Sequence, residues 1–186
     1  MPSFFFALVV TFLAAAGGRD QRLIAHLSSS LGQGKALLVV CWAVCAATAA
    51  LAALAGEGLA LLLPPAGKTM LVAFALLLAA GELAWPIVRL EPKEPTRSLG
   101  AIALVIASRQ VGDGPRFLIV AIAAGTGAPW LAGFGGWLGG AAALTLAWAM
   151  GRELLNEFPL RATRMVLAAL LLVAAIWAGL SARGIV

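Results

Sequence analysis

Long apolar runs separated by short polar segments dominate the chain, and this pattern predicts six membrane-spanning helices. A helix of about 20 mainly apolar residues is long enough to cross a hydrocarbon core of roughly 30 Å. The predicted spans are residues 3–31, 36–55, 69–88, 99–124, 130–150 and 163–182. The charged segment 89–97, which contains Pro92 and Pro95, is typical of an exposed linker.

The fourth predicted span is interrupted by the polar stretch 108–116. As helices, its flanks 99–107 and 117–124 are roughly 14 Å and 12 Å long, so neither crosses the core alone. We therefore expect this stretch near mid-membrane, in a helix broken at Gly112, Gly114 and Pro115. Charge at that depth is costly, so an intramembrane site is the default hypothesis.

The first predicted span has the same construction. Its apolar limb, residues 3–16, is roughly 21 Å long, so a complete crossing brings Gly17, Gly18 and the polar residues 19–22 into the membrane. The alternative is a helix that ends at Gly17, followed by a polar loop. No Lys or Arg precedes Arg19, which argues against a secretory signal peptide, and we expect this helix to be retained.

The two interruptions are related by an internal repeat. A shift of 95 positions without gaps superposes identical landmark residues, namely Gly17 on Gly112, Gly32 on Gly127, Trp42 on Trp137, Pro64 on Pro159 and Met70 on Met165. The pattern predicts two three-helix repeats, residues 1–88 and 98–186, joined by the linker 89–97. An odd number of spans places the repeats in opposite orientations. The predicted fold is thus an all-α integral membrane protein of two inverted repeats, with helices 1 and 4 broken at mid-membrane.

Composition and charge agree with a membrane protein. The chain is 62% hydrophobic and 11% charged, with a formal charge of +5. Basic residues that flank apolar helices set orientation, so we expect a lipid bilayer as partner and no nucleic acid. Outside the breaks, seven Lys or Arg residues fall on the linker side and two on the other. This predicts a cytoplasmic linker and non-cytoplasmic termini, and we expect a bacterial inner membrane.

Oxygen-bearing side chains in the breaks are candidate cation ligands. Asp113 and Gln110 belong to the second break, and Asp20 and Gln21 belong to the first. Carboxylate and amide oxygens suit hard divalent cations, and a broken helix adds free backbone carbonyls. A carboxylate at low dielectric can also exchange its cation for a proton.

Arginines in the same breaks support a structural alternative. The four are Arg19, Arg22, Arg109 and Arg116. Each Asp of the breaks could serve as a counter-ion that holds the bundle together and binds nothing. With two aspartates, the four arginines leave the combined site formally positive by two, which disfavours a divalent cation unless other acids contribute.

The plan of three plus three spans, with a polar motif in the first span of each half, resembles the transmembrane protein 165 family of Ca²⁺/Mn²⁺–proton antiporters. That family carries E-x-G-D-[KR]-[TS] in each half, usually followed by Gln. Residues 15–21 keep Gly17, Arg19 and Gln21 of this pattern, and residues 110–115 keep Gly112 and Asp113. The resemblance implies exchange of a divalent cation for protons, although only one of the four family acids, Asp113, is present.

Two further functions stay open at this point. The first is a non-transporting subunit that pairs with an intact paralogue. The chain could form such a hetero-oligomer or a homo-oligomer. The second is an exporter of a small anionic or zwitterionic solute, similar to the lysine exporter superfamily, in which Arg109 and Arg116 would bind a carboxylate. No nucleophile–base pair is evident, so we expect neither an enzyme nor a cofactor.

Overall fold

The computed structural model describes residues 2–86, 97–156 and 159–185, and every regular element in these ranges is helical. The helices are α1 (Pro2–Ala15), α2 (Arg19–Leu31), α3 (Lys35–Leu62), α4 (Pro65–Ala84), α5 (Leu99–Gln110), α6 (Gly114–Thr126), α7 (Pro129–Met150), α8 (Arg152–Asn156) and α9 (Leu160–Ala182). Most of the predicted linker 89–97 lies outside the described residues.

Four of these helices, α3, α4, α7 and α9, are long and apolar enough to cross a membrane. The pair α1 and α2 passes the same test as one unit, with a bend of 68° between the two helices, which gives up to five candidate spans. Helices α5 and α6 are apolar but shorter. The structure is therefore an all-helical membrane protein with four or five candidate spans.

Glycine and proline explain where the helices are interrupted. Gly17 has a φ of +69°, a conformation that residues with a Cβ rarely adopt, and α1 ends just before it. In the second half, Pro115 occupies the first turn of α6, where its missing N–H costs no hydrogen bond. At the two interruptions only residues 16–18 and 111–113 are non-helical, so most of the polar stretch 108–116 belongs to α5 and α6.

Helix boundaries in the two halves follow the 95-residue offset. Helices α2 and α6 begin at Arg19 and Gly114, and α4 and α9 begin at Pro65 and Leu160. The glycines that end α2 and α6, Gly32 and Gly127, both have left-handed backbones. The two halves therefore share the same order of helices, except that α3 corresponds to α7 and α8 together.

Equivalent helices of the two halves pack antiparallel. Along the α3–α7 contact, Gly133 lies against Ala53, whereas Thr145 lies against Trp42. The direction of α7 is therefore opposite to that of α3.

Helices α4 and α9 show the same relation. Gly179 lies near Ala73, while Arg164 donates to the backbone carbonyls of Glu82 and Trp85 at 2.9 and 2.7 Å. The direction of α9 is therefore opposite to that of α4.

Small residues allow the interrupted helices to lie deep in the bundle. Gly56 of α3 contacts Val120 and Ala123 of α6 so closely that a Cβ would clash with both. Gly135 and Gly139 of α7 likewise contact the backbone of α1. Close approach of this kind is the main way in which membrane helices gain packing energy.

Candidate functional site

A cavity of about 610 Å³ lies where the two interruptions meet. Its lining includes side chains from both breaks, together with residues of α4, α7 and α9. The acidic side chains that line it are Asp20, Glu82 and Asp113. The basic ones are Arg19, Arg109, Arg116 and Arg164. Seven ionisable groups thus surround one cavity in a protein that is otherwise strongly apolar.

Asp20 of the first break and Gln110 of the second line the same cavity. The Asp20 carboxylate interacts electrostatically with Arg109, Arg116 and the Gln110 amide. The amide oxygen of Gln110 accepts hydrogen bonds from Arg116 and from the Thr48 hydroxyl on α3. The second carboxylate oxygen of Asp20, Oδ2, is buried and has no hydrogen-bond partner. A buried carboxylate oxygen without a donor is costly, so it is a natural place for a proton or a cation.

Arg116 is the most enclosed charge of the cavity, with 5% of its surface exposed. Its guanidinium donates to Thr48 Oγ1 from Nε and Nη2, at 3.1 and 3.0 Å, and to Cys45 Sγ at 3.1 Å. It also forms an ion pair with Asp113 across 3.5 Å. Because its donors are satisfied by the protein, Arg116 acts chiefly as a fixed positive charge in the cavity wall.

Asp113 is engaged within its own helix. One carboxylate oxygen accepts a hydrogen bond of 2.9 Å from the backbone N–H of Arg116 and caps the start of α6, while the other faces the Arg116 guanidinium. An N-cap of this kind satisfies one of the free N–H groups in the first turn. As a cation ligand, Asp113 would have to loosen its contacts with Arg116.

Gln21 also lines the cavity, but its amide is used to hold the first break. Its oxygen accepts from the backbone N–H of Gly17, and its nitrogen donates to the carbonyl of Ala143 on α7 at 3.0 Å. Both ends of the amide are therefore occupied by backbone groups. Of the four predicted ligands, the structure brings Asp113, Gln110 and Asp20 together around Arg116, and it gives Gln21 a structural role.

The remaining predicted partners occupy different places. Arg19 forms an ion pair with Glu82 at 3.0 Å. Arg109 lines the cavity and faces Asp20 electrostatically. Arg22 is half-buried one turn into α2, outside the cavity lining.

Two cavity residues were missed by sequence reasoning. Neither Glu82 nor Arg164 is among the candidate site residues predicted from the sequence. In the structure both line the cavity, and Arg164 is 6% exposed. The available signal was their position inside predicted apolar spans, because an ionisable residue there is itself a site candidate.

The acids of the cavity do not form a preassembled metal cluster. Within residues 2–86, 97–156 and 159–185, no group of three or more His, Cys, Asp or Glu side chains is placed to hold a metal ion. The two cysteines of the chain, Cys41 and Cys45, are buried thiols four residues apart on α3. Any cation bound here would therefore use few carboxylates together with amide and backbone oxygens.

Fold and cavity together describe a helical membrane protein in which interrupted helices enclose charged groups, an arrangement typical of secondary transporters. Residues 98–185, slightly less than half of the chain, match the model of the divalent cation/proton antiporter family GDT1. This match confirms, for the second half, the resemblance inferred from the sequence. The matched family is one of divalent cation/proton antiporters, which are transporters. No curated protein and no solved structure matches the chain.

Proposed function

We propose that the chain is a secondary transporter that exchanges a divalent cation, Mn²⁺ or Ca²⁺, for protons. The single observation that carries the proposal is the cavity shared by Asp20 and Gln110 of the two breaks, where one carboxylate oxygen of Asp20 is buried without a donor. The similarity of residues 98–185 to cation/proton antiporters supports the same function.

The proposed architecture is six spans in two inverted three-helix repeats, residues 1–88 and 98–186, joined by a cytoplasmic linker. Antiparallel packing of α3 with α7 and of α4 with α9 supports the inversion. In this arrangement the two breaks face each other near the bilayer midplane, as in other transporters with inverted repeats. Without the buried Arg164, six basic residues still favour the linker side over two on the other, so non-cytoplasmic termini remain the proposal.

Asp20 is the proposed exchange site. When it is ionised, its buried carboxylate needs a positive partner, which a proton, a cation or the neighbouring Arg109 and Arg116 can supply. Glu82 adds a third acid, so the formal charge of the cavity lining is +1. Cation entry becomes favourable once the arginine donors move away from the oxygens that would bind the cation. This requirement links cation binding to movement of the break segments.

The test is a flux assay in proteoliposomes that contain a pH-sensitive dye. Addition of Mn²⁺ or Ca²⁺ to the outside of wild-type vesicles should drive proton efflux, and Asp20→Asn should abolish it because the amide cannot release a proton. Glu57→Gln, which alters an exposed acid of α3, is the matched control and should transport normally. Wild-type vesicles without cation-driven proton movement would refute the proposal.

A second candidate, export of a small anionic or zwitterionic solute, is favoured by the arginines of the cavity. Arg109 is half-buried there and could pair with a substrate carboxylate. The same vesicles, loaded with radiolabelled amino acids, separate the two functions. Solute efflux that Arg109→Ala abolishes, without any response to Mn²⁺ or Ca²⁺, would select the exporter.

A further inference from the structure

The Glu82 carboxylate joins the two interrupted helices. Oε1 accepts a hydrogen bond of 3.0 Å from the Arg19 guanidinium, and Oε2 accepts one of 2.6 Å from the backbone N–H of Gly114. Arg19 and Gly114 are the first residues of α2 and α6. One side chain of α4 therefore holds the helix starts that follow both breaks, although its helix belongs to neither broken span.

Electrostatics favour this position for an acid. The N-terminus of a helix carries a partial positive charge, and Arg19 adds a full one, so a carboxylate between them is stabilised twice. Among the residues that the structure describes, Asp20, Asp113 and Arg164 also interact with Glu82 electrostatically.

Packing around Glu82 leaves little freedom on one side. A Cβ on Gly114 would lie 2.8 Å from Ala79 Cα, so α6 approaches α4 as closely as only glycine permits. Arg164 fixes the end of α4 through the carbonyls of Glu82 and Trp85. The Arg19 side is looser, because 57% of the Arg19 side chain is exposed. The start of α2 is thus the part of this junction that can move most easily.

We propose that Glu82 is a positioning residue that latches the starts of α2 and α6 together and so closes the cavity beside α4. A cation that enters the cavity competes with Arg19 and the Gly114 N–H for the carboxylate oxygens of Glu82. Its arrival therefore weakens the latch and opens this side of the cavity. The role in transport rests on the proposed function, whereas the latch itself is a property of the protein without substrate.

Cys45 provides a reporter of cavity opening that requires no transport. Its thiol is fully buried behind Arg116, and Cys41 is the other cysteine of the chain. In a Cys41→Ala background, the rate at which N-ethylmaleimide modifies Cys45 can be followed by mass spectrometry. Measurement in detergent with a chelator present removes any effect of divalent cations.

The expected rates of Cys45 modification in each variant follow from the two contacts of Glu82. Glu82→Gln should raise the rate on the order of tenfold, since it weakens a charge-assisted hydrogen bond at Gly114 and the ion pair with Arg19. Arg19→Gln should raise it only about twofold, because a largely exposed ion pair contributes little. In the Glu82→Gln background, Arg19→Gln should have no further effect, because its partner is already lost.

Two exposed charges away from the cavity provide control variants. Glu57→Gln and Arg152→Gln should leave the rate of Cys45 modification unchanged. Size-exclusion elution identifies any variant that fails to fold, and Arg19→Gln, at an exposed position, keeps the test available. Unchanged rates in both folded single variants, or additive effects in the double variant, would overturn the latch.

The latch and the antiporter can fail separately. If the Glu82 and Arg19 variants leave Cys45 labelling unchanged while the wild type shows cation-driven proton flux, only the latch is refuted. If these variants change Cys45 labelling but the wild type shows no such flux, only the antiporter is refuted.

Discussion

Trp42 and Trp137, which are 95 residues apart in the chain, pack edge to face with ring centroids 6.3 Å apart. The indole N–H of Trp137 also donates to the backbone carbonyl of Trp42 at 3.2 Å. These tryptophans occupy the same position in the two halves, since 95 residues is also the offset between the helix boundaries. Contact between equivalent residues is expected of positions near a two-fold axis, which supports the proposed inverted repeats.

Glycines of α7 should be intolerant of even one added methyl group. A Cβ on Gly139 would clash with the carbonyl oxygen of Leu8, and a Cβ on Gly135 would clash with that of Phe4. Gly139→Ala should therefore separate α1 from α7 and lower the free energy of unfolding by about 2 kcal/mol. Unfolding by sodium dodecyl sulfate, followed by circular dichroism, measures this loss.

The matched control is Gly58→Ala on α3. Nothing lies within 4 Å of the position of its Cβ, and the residue is inside a helix. Alanine there should leave the stability unchanged or raise it by up to about 1 kcal/mol through helix propensity. Equal losses in the two variants would contradict a specific α1–α7 contact.

Gln21 and Gln33 form a second matched pair. Each donates its amide N–H to a carbonyl of α7, Gln21 to Ala143 at 3.0 Å and Gln33 to Ala149 at 3.1 Å. Gln21 is buried and also accepts from Gly17, whereas Gln33 is exposed. Gln21→Ala should cost about 1–3 kcal/mol of stability, because two backbone groups lose their partner away from water. Gln33→Ala should cost less than about 0.5 kcal/mol.

The same pair tests whether the first break is held by its glutamine. Hydrogen–deuterium exchange at Gly17 should accelerate in Gln21→Ala and remain unchanged in Gln33→Ala, since only Gln21 covers that N–H. Exchange at Gly17 that does not respond to Gln21→Ala would show that other contacts maintain the break.

The position of the interruptions could be predicted from the sequence because the signal is local. Charged residues with glycine or proline inside an apolar run are unfavourable for a uniform membrane helix, whatever packs around them. The proposed repeat also rests on a sequence signal, since identical Trp, Pro, Met and Gly landmarks recur at one offset.

The partners within the cavity could not be predicted, because they depend on which helix faces pack together. Thr48 and Cys45 support Arg116 from a helix that begins 81 residues earlier in the chain, at Lys35, and their residue types give no sign of it. The length of α3 is a similar case. The second predicted span ends at residue 55, yet α3 continues to Leu62 and its Gly56 packs closely against α6.

Asp113 and Arg116 should depend on each other for stability. Their side chains are 12% and 6% exposed, so Asp113→Asn leaves a buried guanidinium with its nearest counter-ion removed. Asparagine still caps α6, which restricts the effect to charge, and we expect a loss of about 3–5 kcal/mol in detergent unfolding. The double variant Asp113→Asn with Arg116→Gln removes both charges and should recover most of this loss. A double variant no more stable than Asp113→Asn would show that Arg116 is stabilised mainly by Thr48 and Gln110.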